Sequence, residues 1–146
     1  MFDKYFTDGD ILFACEVSGW SEAVDMVAAP LLEAGSITDG YVDAIKKSIV
    51  SPGGTYIDLG GQVALAHARP EFGVNATSLS VLHVAKPFLL ADDSNHPIST
   101  MFCLAAKDAN THIELMQGLA GLLTDADKVA ALGKAAGVAD LKRILL

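Results

Sequence analysis

The run Ile98-Ser-Thr-Met-Phe-Cys-Leu-Ala-Ala106 carries apolar side chains on both faces over most of its length. A strand of that kind belongs in the middle of a sheet, with helices covering each side. Upstream of it, Thr55 to Leu59, Gln62 to Ala66 and Thr77 to Val84 are short runs rich in β-branched or apolar residues. Gly, Pro and Asn separate them, and with Asp10 to Val17 they bring the expected strands to five. Helical signals flank this block. Ser18 or Ser21 is placed to cap a helix to about Glu33, with Pro30 as a kink and Gly35 as a stop. Thr38 is placed to cap a second helix, in which Tyr41, Ile45 and Ile49 share one face before Ser51-Pro52-Gly53-Gly54 ends it.

Downstream, Asn110 can cap a helix through about Leu123 with Ile113, Met116 and Leu119 facing inward. Thr124 can cap another, with Asp125 and Asp127 near its positive end, and Val138 to Leu145 closes the chain. The expectation is an α/β fold, a three-layer sandwich whose mixed sheet of about five strands lies between helices. With 146 residues and no repeat, linker or low-complexity tract, residues 1–146 read as one domain.

Composition narrows the function. Half the residues are apolar (51%) and 19% are charged, as in an ordinary globular domain. The net charge of -8, with no dense run of Lys and Arg, argues against nucleic acid and against an anionic membrane surface. The Ile98–Ala106 run is far too short to cross a bilayer, and Met1 to Asp10 has no basic region followed by an apolar core. A cytoplasmic location follows as the expectation. Cys15 and Cys103 lack metal-ligand spacing and read as buried reduced thiols.

Strand ends are where α/β folds place reacting groups. Gly60-Gly-Gln-Val-Ala-Leu-Ala-His67-Ala-Arg69-Pro70-Glu71 ends an apolar strand on a His, followed by Arg and Pro where the backbone leaves the sheet. Taken alone, such a His is ordinarily a hydrogen-bonded boundary residue. A second His alters that balance, because Asp108-Ala-Asn110-Thr111-His112 follows the most apolar strand and opens a helix. Unpaired N–H groups at a helix start favour anions. With the two strand ends side by side, His67 would be a nucleophile and His112 a donor to a transferring phosphoryl group. Asn110 and Thr111 at the helix start would help hold it. Such transfer asks mainly for an in-line nucleophile and preorganised positive dipoles. Arg69 would add a guanidinium, or else pair with Glu71 as a solvated loop charge. His83, within a strand, reads as a partly exposed cross-strand residue, and His96 as part of a polar loop in which Asp92-Asp93 makes a turn. No P-loop, G-x-G-x-x-G or G-x-S-x-G is present, and no cofactor or metal is expected.

Val63 to Val74 and Ala105 to His112 resemble the enzyme IIA proteins of the mannitol/fructose class, most closely the ascorbate-type branch. Trp20-Ser-Glu-Ala-Val, Tyr41-Val-Asp-Ala-Ile, Tyr56 and Lys86-Pro87 are similar too, in the same order, so the resemblance spans essentially the whole chain. It implies a phosphocarrier of a sugar phosphotransferase system, with His67 as the phosphorylated histidine and His112 as its partner. The implied donor is the phosphohistidine of HPr and the implied acceptor a cysteine of enzyme IIB. An ascorbate-like substrate is implied for the system; the oligomeric state is left open, a homodimer being one of the possibilities. One departure concerns the mannitol-type pattern, which has an arginine late in the second helix where Ser48 stands here. Arg69 is the candidate to supply that charge. Two rival readings are a regulatory enzyme IIA-like module whose phosphorylation state controls protein partners, and a metal-dependent hydrolase using His67, His112 and Asp108.

Overall fold

The computed structural model describes residues 2–6 and 8–146. Five strands, β1 (Ile11–Ala14), β2 (Asp58–Gly60), β3 (Val63–Ala66), β4 (Ser78–Leu89) and β5 (Pro97–Ala105), form one sheet in the order β1-β4-β5-β3-β2. β1 runs parallel to β4 and β3 parallel to β5, whereas the β4–β5 and β2–β3 pairs are antiparallel. The sheet is therefore mixed, as expected. β5 is its middle strand and is buried from Ile98 to Ala105, in keeping with its apolar residues on both faces.

Two helices, α1 (Trp20–Glu33) and α2 (Asp39–Val50), cover one face, and α3 (Ala109–Leu123), α4 (Ala126–Gly133) and α5 (Val138–Leu145) cover the other. Alternation along the strands sorts the core into two halves. Leu82, Val84, Met101 and Cys103 pack towards Val27, Leu31, Ile45 and Ile49, while Val81, Phe102 and Leu104 pack towards Leu115, Leu119 and Leu141.

Several local expectations needed correction. The run at Thr55 begins as a 3-10 turn, Gly54–Ile57, and becomes a strand only at Asp58. Gly53 is left-handed and Gly54 is buried against the carbonyls of Ser48 and Ile49, so the chain is still turning off α2 there. β1 stops at Ala14, beyond which the Cys15 carbonyl still accepts the Lys86 N–H. Cys15 is exposed, whereas Cys103 is buried and its thiol is pushed up to about 12 by burial. α1 is preceded by Gly19, and the Glu22 carboxylate reaches back to accept the Ser18 N–H at 2.8 Å. The helix continues through Pro30 to Glu33.

The caps of α3 and α4 are Asp108 and Asp125, whose side chains accept from Thr111 and Lys128 N–H groups; Asn110 lies inside α3, and Thr124 is its C-cap. That phase buries Leu115, Gly118, Leu119 and Leu122, and leaves Ile113 exposed. His83 is fully buried, with its Nδ1 2.9 Å from Thr100 Oγ1 and its ring stacked on Phe13. Among the described residues no helix is long and apolar enough to cross a membrane.

Leu82 is inaccessible and lies against the α1–α2 layer. Leu82→Ala is expected to lower the unfolding free energy by about 2–5 kcal/mol, because the cavity cannot fully collapse between sheet and helices. Urea denaturation measures this, and a loss below about 1 kcal/mol would contradict the two-sided packing.

Candidate active site

The carboxyl ends of β3 and β5 lie side by side. Their parallel ladder pairs Leu65 with Phe102 and Ala66 with Cys103, and both chains then leave the sheet on the same edge. His67 is the first residue beyond β3. From β5 the chain runs through Ala106 and Lys107 to the Asp108 cap and into α3, whose first turn carries His112. The two imidazole centroids are 5.9 Å apart, with the ring planes inclined at 46°. The sequence expectation that these histidines meet thus has its geometric counterpart.

They face an open cleft of about 530 Å³, with Ala44 and Ser48 of α2, Tyr56, Arg69, Phe72 and Asp108 among its other lining residues. The Gly54–Ile57 turn presents Tyr56, whose ring sits edge-on to His67 at a centroid distance of 5.8 Å. A second 3-10 turn, Pro70–Phe72, presents Phe72. It is fastened to the start of α2 by the Thr38 N–H, which donates to the Gly73 carbonyl at 3.0 Å. Gly73 has φ of +141°, and a β-carbon there would run into Thr38, so only glycine closes this turn without displacement.

The His67 ring is oriented by its own strand. Nδ1 lies 3.0 Å from the Leu65 carbonyl, which can only accept, so Nδ1 carries the proton and Nε2 keeps its lone pair. Burial pushes the His67 pKa below the ordinary histidine value; the Leu65 bond opposes this and the His112 ring adds to it. The ring is thus held neutral near pH 7 and nucleophilic at one nitrogen.

Arg69 lines the cleft and also lies 3.8 Å from Glu71, with both side chains largely exposed, so both roles considered for it fit its position. Asn110 and Thr111 do not line the cleft. The Thr111 N–H and hydroxyl both donate to Asp108 Oδ1, at 2.8 and 2.9 Å, and these bonds hold the Asp108 carboxyl below its ordinary range. Among the described residues no group of three or more His, Cys, Asp or Glu side chains is arranged to hold a metal ion. His96 stands elsewhere, its Nδ1 2.8 Å from the Asp58 carboxylate.

Residues 4–146 match the family described as "Phosphoenolpyruvate-dependent sugar phosphotransferase system, EIIA 2". The chain belongs to that family. Its members are phosphotransferase relay proteins. The mannitol-specific cryptic phosphotransferase enzyme IIA component of Escherichia coli strain K12 is 33% identical over 141 residues, covering 97% of this chain and 95% of the relative. The solution structure of the E. coli mannitol-specific cryptic enzyme IIA superposes with a TM-score of 0.91 at 30% identity, over 99% of this chain and 97% of that one. The ascorbate-specific EIIA component of the same strain is 33% identical over 113 residues, covering 77% of this chain and 73% of the relative. The fold also recurs in the E. coli mannitol enzyme IIA solved in complex with phosphorylated enzyme IIB (TM-score 0.79, 18% identity, 96% of each chain). Both mannitol-type and ascorbate-type enzyme IIA proteins are thus relatives.

Tyr56, Phe72 and Ser48 had no site role in the residue-level reading. Tyr56 and Ser48 were marked only by the family resemblance, and Phe72 reaches the cleft through a turn that no local pattern announces.

The half-buried His67 and the buried His83 fix the sign of the pH dependence. His67 and His83 both have pKa values lowered by burial, so the folded state binds fewer protons than the unfolded chain. Stability is then complete above the unfolded histidine value of about 6.5 and falls as pH drops below it. Thermal unfolding between pH 7.5 and 5 is expected to show a falling Tm, and an unchanged Tm across that interval would contradict the burial of both rings.

Proposed function

We propose that residues 1–146 act as one cytoplasmic phosphocarrier, taking a phosphoryl group from the phosphohistidine of HPr onto His67 and passing it to a cysteine of enzyme IIB. The observation that carries this reading is the pinned, neutral His67 ring facing His112 across an open cleft. Nε2 attacks phosphorus in line while the donor's N–P bond breaks, its electron pair returning to the donor imidazole, which takes up a proton. In the second step an enzyme IIB thiolate attacks, the S–P bond forms, and the Nε2–P bond breaks to restore the neutral ring. Neither step needs more than alignment and charge stabilisation.

His112 is proposed to donate a ring N–H to a phosphoryl oxygen, and Arg69 to swing its fork of donors onto the other oxygens as it leaves Glu71. Asn110 and Thr111 act through the positive end of α3; Thr111 gives direct bonds only where Asp108 releases its cap. The mannitol enzyme IIA solved with phosphorylated enzyme IIB supports the choice of acceptor. Ser48 in the cleft and the Arg69 side chain beside it support an ascorbate-like branch for the sugar system served, although this domain need never touch the sugar.

Incubation with phosphorylated HPr is expected to label the chain with acid-labile, alkali-stable phosphate, and His67→Ala to abolish the label. His112→Ala is expected to slow labelling by roughly 10²–10³-fold while leaving the acceptor intact, the usual loss when one transition-state donor is removed. Equal labelling of both variants would overturn these roles.

A further inference from the structure

The α2 residue Tyr41 is 1% exposed and sits at the sheet edge from which both histidine-bearing segments depart. The ladder between β3 and β5 ends at Ala66 and Cys103. One residue further along β5, the Leu104 carbonyl accepts from the Tyr41 hydroxyl at 2.6 Å, and across the gap the Ala68 N–H donates to the Tyr41 hydroxyl oxygen at 3.0 Å. The Ala68 carbonyl, at 3.2 Å, is a second acceptor within reach of the phenol. A single hydroxyl from a helix therefore joins the two strands just where their own pairing stops. Burial raises its pKa well above the ordinary tyrosine value, so it remains a donor throughout the physiological range.

The position of this bridge relative to His67 matters. His67 lies between Ala66, the last residue held by the ladder, and Ala68, the residue held by Tyr41. Its ring is tied back to Leu65. On the other side, Leu104 is followed by two buried alanines and then by the cap and first turn of α3 that carry His112. The phenol oxygen thus sets the spacing of the two exits from which both imidazoles hang, without lining the cleft itself.

We propose that the Tyr41 hydroxyl is a positioning residue for phosphoryl transfer, fixing the His67 backbone and its distance from His112. The proposal rests on His67 being the phosphoryl acceptor. Removing the hydroxyl keeps the ring and its packing but leaves Leu104 O and Ala68 N–H without their partner. The backbone at His67 then gains freedom, its ring loses the fixed Nδ1–H tautomer, and fewer encounters with the donor find Nε2 in line.

The test is single-turnover labelling by phosphorylated HPr of wild type, Tyr41→Phe, His67→Ala and Val24→Ala. Val24 is a fully buried α1 residue outside the cleft and serves as a control for lowered stability alone. Tyr41→Phe is expected to lower the maximal transfer rate by tenfold or more with little change in the donor concentration giving half that rate. Its His67 ring nitrogens should shift in 15N spectra towards a mixture of tautomers. Val24→Ala, though less stable, should keep the wild-type rate and the wild-type ring spectrum. A Tyr41→Phe protein with wild-type rate and an unchanged His67 tautomer would overturn the proposal. Failure of wild type to label, or labelling of His67→Ala, would instead overturn the phosphocarrier reading beneath it. Hydrogen exchange on the wild type decides independently of any variant: the Ala68 amide should be strongly protected, and exchange at the rate of an exposed loop amide would refute the bridge.

Discussion

β3 and β5 are parallel and in register up to Ala66 and Cys103, and the placement of the reactive groups follows from that pairing. Parallel strands send their chains out over the same edge, so two segments about forty residues apart in sequence arrive at one place. An antiparallel pairing would have sent His67 and α3 to opposite ends of the sheet. The apolar character of both strands, buried along their full ladder, is what makes this arrangement stable in the middle of a five-stranded sheet.

Around that edge the protein grades from rigid to open. The inaccessible layer is made of Ala66, Leu104, Ala105 and the Tyr41 ring. Above it stand the half-buried imidazoles, one of them tied to a backbone carbonyl. The outermost ring is exposed, formed by Tyr56 and Phe72 with Arg69 between strand and turn. This layering suits a carrier: the nucleophile is held still, whereas groups that must meet a protein donor and then a protein acceptor lie where partners can reach them. The Asp108 carboxylate belongs to the held layer in function, because its bonds to Thr111 start α3 at the residue that brings His112 round to face His67.

The layers, the central strand and the meeting of two histidines were legible in the sequence because each rests on a strong, repeated signal. Ile98–Ala106 is apolar on both faces, His67 follows an apolar strand directly, and His112 opens the helix that comes after the most apolar one. Cap positions were less legible, since Asp108 and Asn110, like Thr124 and Asp125, are equally good cap residues close together, and only helix phase selects between them. The same phase sends Ile113 out and Leu115 in. His83 was read as partly exposed because its residue type suggests it; Thr100 on the neighbouring strand satisfies it instead. Tyr41 shows the limit most clearly. Its periodicity with Ile45 and Ile49 marks the ring as core, but the partners of its hydroxyl lie 27 and 63 residues away and leave no trace in local pattern.

The bond from His67 Nδ1 to the Leu65 carbonyl commits the chemistry to the other nitrogen of the ring. The most direct test is to phosphorylate the protein labelled with 15N in its histidine rings and observe the phosphorus–nitrogen coupling. The coupling is expected at Nε2 of His67, with Nδ1 still protonated. Coupling at Nδ1, or at any other histidine, would contradict the account.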